Sequence, residues 1–69
     1  MQELDLHGHS HYEVESIVEN FVLLNQPPTR IITGNSNRMR NIVMQILDEH
    51  NIKYYVPFHN QGEIIITSW

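Results

Sequence analysis

Twice along this chain a short run of alternating side chains gives way, through a glycine-bearing turn, to an apolar stripe at helical spacing. The first run is Leu4-Asp5-Leu6-His7-Gly8, and Val14, Ile17, Val18, Phe21 and Leu24 form the stripe that follows. The second run is Arg30-Ile31-Ile32-Thr33-Gly34, and its stripe is Met39, Ile42, Val43, Ile46 and Leu47. A switch from period 2 to period 3.6 marks a strand that feeds a helix. Such units in succession commit a chain to an α/β fold, because each helical stripe must be buried against a sheet.

The spacing predicts strand one over residues 3–7. Ser10 then stands as a helix N-cap with Glu13 three positions on, the spacing of a capping box. Asn25-Gln26-Pro27-Pro28 ends the first helix, since proline cannot continue it. Strand two follows over residues 30–33, and Gly34-Asn35-Ser36-Asn37 is a turn able to cap the second helix, which His50-Asn51 closes. Strand three over 53–58, the hairpin loop His59-Asn60-Gln61-Gly62 and strand four over 63–68 complete a βαβαββ order. With right-handed crossovers and a sheet that grows in one direction, both helices fall on one face. The expected fold is therefore a two-layer α/β sandwich, a four-stranded mixed sheet with two helices on one face. Its first three strands run parallel and the last returns antiparallel. Pro57 cannot donate to a ladder, so strand three belongs at a sheet edge, or Pro57 at its end or a bulge.

Residues 1–69 make one domain, and a chain this short buries only about 60% of its unfolded surface. The absence of cysteine excludes disulfides and thiolate metal sites. No apolar run approaches the ~18 residues of a membrane span, and Met1-Gln2-Glu3 has no signal-peptide character. The expectation is a cytoplasmic protein with no membrane partner, its oligomeric state open. A net charge of -4 speaks against tight nonspecific binding to nucleic acid, which draws on Lys and Arg. The charges are unevenly spread, however. Acidic residues crowd Glu13, Glu15 and Glu19, and again Asp48 and Glu49, while Arg30, Arg38 and Arg40 cluster mid-chain. Any anion-binding surface is local.

Three loops are expected at the carboxyl edge of the sheet, where ligands of open α/β sheets bind: residues 7–10, 33–36 and 59–62. Asp5 and His7 share one face of strand one, and Leu4 and Leu6 the other. A polar pair held rigid by a leucine anchor suits a small active site; a polar sheet face meeting water is the ordinary alternative. Gly34 permits a positive φ, and the N–H groups after it favour an anion such as phosphate. Arg38 and Arg40 lie near the start of helix two, where positive charge is unfavourable by about 0.3–1 kcal/mol each. An anionic partner accounts for them, as does extension into water or pairing with glutamates. His7, His9 and His11 alternate, but Gly8 and Ser10 break the strand between them, so no metal site is assigned. A weakly held divalent ion such as magnesium at Asp5 and His7 is the one cofactor left open.

These residues carry a family resemblance. Leu4-Asp5-Leu6-His7-Gly8 before one amphipathic helix, and Ile31-Ile32-Thr33-Gly34-Asn35 before another, resemble the Smr (small MutS-related) domain. That family shows a Leu-Asp-Leu-His-Gly motif first and Thr-Gly-x-Gly in the middle. The resemblance covers essentially the whole chain and matches the first motif in full. The second departs at Ser36, where the family has its second glycine, and the longer Gly- and Ser-rich insert is absent. The resemblance implies a fold similar to the C-terminal domain of bacterial translation initiation factor three. It also implies binding to nucleic acid, DNA or RNA, with endonuclease cleavage in several members. Carried over by position, Asp5 and His7 are the catalytic candidates, with Gly8, Thr33 and Gly34 shaping the site. Together with Asn35, Ser36, Arg38, Arg40 and Asn60 these make the expected phosphate-binding set. His7 would serve as general base or acid, and Asp5 would orient it. The alternative is a non-catalytic module that contacts nucleic acid or protein through the sheet face carrying Tyr55 or Tyr54.

Overall fold

The computed structural model describes residues 1–69. Strand β1 (Gln2–Asp5) leads through a single 3₁₀ turn (His11–Glu13) into helix α1 (Val14–Leu24). Strand β2 (Thr29–Ile32), helix α2 (Asn37–Glu49), β3 (Lys53–Tyr55) and β4 (Glu63–Ser68) follow. The order is βαβαββ, as the periodicity predicts. In the sheet the strands lie β1-β2-β4-β3. β1 pairs parallel with β2, and β4 pairs antiparallel with both β2 and β3. Thus β1, β2 and β3 share a direction, and the last strand is inserted between the second and third. β3 is an edge strand and ends at Tyr55, so Pro57 lies beyond the ladder it could not have joined.

The alternation of β1 puts Leu4 and Leu6 toward the core, Leu6 fully buried. Leu4 is in register with Ile31 and Ile31 with Ile64, while Thr29, Ile66 and Tyr54 line up beside them. Onto this face pack Val14, Val18 and Val22 of α1 and Met39, Val43, Ile46 and Leu47 of α2. Both helices therefore cover one face of the sheet. The stripe of α1 ends at Val22 rather than at Leu24, which is 81% exposed. Two residues beyond Val22 is roughly 200° around a helix, so Leu24 faces away from the sheet.

The helix ends follow local chemistry. Ser36 caps α2, its Oγ accepting from the Met39 N–H at 3.0 Å. At the other end Asn51 takes a positive φ of 58°, Ile52 N–H donates to Leu47 O at 2.9 Å and Asn51 N–H to Asp48 O at 3.1 Å. This is the paired bonding of a Schellman stop, with Ile52 buried against the core as its apolar contact. The Ser10–Glu13 capping box does not form. Glu13 Oε2 instead meets His9 Nδ1 at 3.3 Å, and α1 begins only at Val14. Trp69 folds back on α1, its Nε1–H donating to Val22 O at 3.1 Å.

Tyr54 ties β3 to the end of α2 by donating its hydroxyl to Asp48 Oδ1 at 2.9 Å. Burial, reinforced by this hydrogen bond and by the Asp48 charge, raises the phenol above its ordinary value near 10. Because the folded value is the higher one, this contribution is intact below about pH 10 and is lost as pH rises through the folded value. Tyr54→Phe should therefore flatten the alkaline limb of stability. Urea midpoints at about pH 8 and about pH 11 check this. The wild type should lose more between the two than the variant, and equal losses would contradict the coupling.

Candidate nucleic-acid interface

β1, β2 and β3 end at the same edge of the sheet, and β4 begins there. The segments that meet at this edge are residues 6–13, 33–36 and 56–62. Leu6 N–H donates to Ile32 O at 2.9 Å, which carries the β1–β2 register one step further, to Leu6 beside Thr33, with His7 next in the chain. Gly62 joins the other two loops. Its carbonyl accepts from Thr33 N–H at 2.8 Å and from Gly34 N–H at 3.0 Å. A Cβ at Gly62 would lie 3.3 Å from Asn60 Oδ1 and 3.4 Å from the Gly34 carbonyl oxygen, so this glycine marks the closest approach of the two loops. Here His7, Gly34 and Asn60 share one edge, as the topology predicts.

The residues gathered there divide into those committed to the fold and those with donors unspent. Thr33 is buried, and its Oγ1 donates to the Gly34 and Gly62 carbonyls at 3.3 Å each. Gly34 has φ +70° and spends its N–H on Gly62. Ser36 is used as a cap, and Asn60 Oδ1 accepts from Gly62 N–H at 3.1 Å. Arg40 donates to the Gln61 carbonyl at 2.8 Å and to Asn37 Oδ1, so it pins the β3–β4 loop to the start of α2. Arg38 is exposed and makes no hydrogen bond or ion pair within the chain. The main-chain N–H groups of Asn35, Ser36, Asn37 and Arg38 are likewise unspent, as expected at a helix start. Asn35 is exposed beside them.

The Asp5/His7 pair differs from the sequence expectation. β1 stops at Asp5, so His7 lies beyond the strand, in the turn completed by Gly8 at φ +87°. Asp5 Oδ1 accepts from the His7 main-chain N–H at 2.9 Å, and the imidazole makes no hydrogen bond. An aspartate two residues ahead of a free N–H closes an Asx turn, which competes with continuation of the strand. Asp5 thus fixes the loop that carries His7 rather than touching its ring. No three His, Asp or Glu side chains gather into a group able to hold a metal ion.

Charge is mixed at this edge. His7, His9, His11 and His59 lie there with Arg38 and Arg40 at the start of α2, beside the carboxylates of Asp5 and Glu13. Asp48 and Glu49 lie at the far end of α2, and His50 there pairs with Glu19 at 2.8 Å. Arg30 leaves the mid-chain cluster altogether. It lies on the uncovered sheet face between Glu3 at 3.1 Å and Glu63 at 3.5 Å. Two aromatic rings that the sequence reading passed over also stand at the edge: Tyr12 in the 3₁₀ turn and Phe58 in the β3–β4 loop, both exposed. In comparison with known proteins, the chain matches no family model, no curated protein and no solved structure.

Proposed function

We propose that this chain is a nucleic-acid-binding domain that takes the phosphate backbone at the carboxyl edge of its sheet. The observation that carries this reading is Arg38. A cation in the first turn of a helix is unfavourable by about 0.3–1 kcal/mol, and Arg38 has no carboxylate to relieve it. It stands beside four unspent N–H groups, a combination suited to a phosphate. The Smr resemblance of Leu4-Asp5-Leu6-His7-Gly8 and Thr33-Gly34 supports the same partner. Arg30 and Arg40, by contrast, are occupied within the fold.

Within this reading, any phosphodiester cleavage falls to the His7 imidazole as general acid or base, with Asp5 as a positioning residue. The arrangement favours binding over cutting, because the carboxylate that would orient the ring is engaged by backbone. A second reading, a protein-binding module on the uncovered sheet face, has one observation in its favour: Tyr55 is 53% exposed there. Tyr54 belongs to the helix-covered side and is withdrawn from that surface.

The test is the salt dependence of binding to a labelled oligonucleotide. Each neutralised phosphate contributes roughly 0.7–0.9 to the slope of log affinity against log salt. Arg38→Ala should weaken binding and make that slope shallower by about that amount. An unchanged slope would remove Arg38, and the edge it marks, from the interface.

A further inference from the structure

We propose that the edge selects single-stranded nucleic acid by stacking bases on Phe58 and Tyr12; this rests on the nucleic-acid reading above. Phe58 is 95% exposed and Tyr12 88%, the two most exposed large apolar side chains of the chain. Both stand in loops at the carboxyl edge. They leave from strands at opposite sides of the sheet, Tyr12 after β1 and Phe58 after β3. Three inter-strand steps separate those strands, about 14 Å in all. The turn with the unspent N–H groups and Arg38 follows β2, which lies between them. Two ring platforms thus flank a phosphate-directed turn across the reach of a few nucleotides.

The charge balance favours the same class. Binding to duplex draws on many phosphate contacts. Here the net charge is -4, and at this edge only Arg38 is a free arginine. A single strand needs less charge, because its unpaired bases offer faces to aromatic rings. A duplex keeps those faces stacked inside and presents only edges.

The experiment compares three labelled probes of equal phosphate count on the full chain: a single-stranded oligonucleotide (DNA and RNA versions), a duplex half as long, whose two strands together carry that count, and an abasic strand. The base-bearing single strand should bind tightest, the other two weaker by about tenfold. Phe58→Ala should weaken single-strand binding by roughly tenfold, and Tyr12→Ala by a comparable factor. Phe58→Trp should retain binding and Phe58→Leu should not, since leucine keeps an apolar side chain but no ring face. Circular dichroism should show all variants folded, as neither ring is part of the core. Equal binding of abasic and base-bearing strands overturns the stacking proposal and leaves the phosphate reading standing. So does a preference for duplex, or full binding by Phe58→Leu. Binding to none of the probes overturns both.

Discussion

Leu6→Ala is expected to remove about half of the domain's stability at room temperature. Leu6 is fully buried, in the segment that joins β1 to the edge loops, and it touches the cluster shared by both helices and the sheet. Removing a buried leucine costs about 2–5 kcal/mol. A domain of this length holds roughly 3–10 kcal/mol of stability in total. At mid-range, about half of the margin should therefore vanish. Urea unfolding followed by the fluorescence of Trp69 reads this out, because its Nε1–H is docked on Val22 O. Leu24→Ala is the matched control: its side chain is 81% exposed, and its effect should stay within about 0.5 kcal/mol. Similar midpoints for the two variants would contradict the assignment of the β1 faces.

The second large effect concerns chemistry. On any phosphodiester that the domain cleaves, His7→Ala should lose cleavage by about 10²–10⁴-fold, the usual share of a general acid or base. Binding should be largely kept, since Arg38 and the α2 N–H groups are untouched. Asp5→Asn gives a further distinction. Its side-chain oxygen can still accept from the His7 N–H, so the turn closed at 2.9 Å should survive. If Asp5 acts only by holding that loop, Asp5→Asn should cleave nearly as wild type and Asp5→Ala should not. If its charge enters the reaction, both variants should fail. Cleavage that persists in His7→Ala would remove His7 from the chemistry.

The fold was largely legible in the sequence because its signals are local and mutually consistent. The change of period at Gly8 and Gly34, the proline stop after Gln26 and the hairpin at 59–62 all point to one topology. β4, whose Ile64-Ile65-Ile66 run is buried throughout, sits centrally between β2 and β3, a place that the sequence reading left open. The misreadings came where one side chain had two possible partners. Glu13 suits a capping box and also lies four residues from His9, and the His9 contact is the one formed. His7 continues the alternation of β1, but the Asx turn of Asp5 ends the strand first. The candidate site was legible as a meeting of three loops and not as a division of labour. Arg30, Arg38 and Arg40 look alike in sequence. Only the cross-strand register sets Arg30 between two glutamates, and only the loop closure at Gly62 brings Gln61 within reach of Arg40. Phe58 falls at the end of the expected strand three and Tyr12 in the expected first turn of helix one, off its apolar stripe, so neither was marked as an exposed ring.

The central claim, that nucleic acid binds at the carboxyl edge, is tested most directly by backbone amide NMR during titration with an unlabelled single-stranded oligonucleotide. The amides of Gly8, His9, Asn35 to Arg38 and Asn60 to Gly62 should shift together and saturate at one affinity. Those of Lys53, Thr67 and Ser68, at the opposite end of β3 and β4, should stay in place. Shifts concentrated on Tyr55 and its sheet neighbours, with the turn at Gly34 silent, would contradict the account.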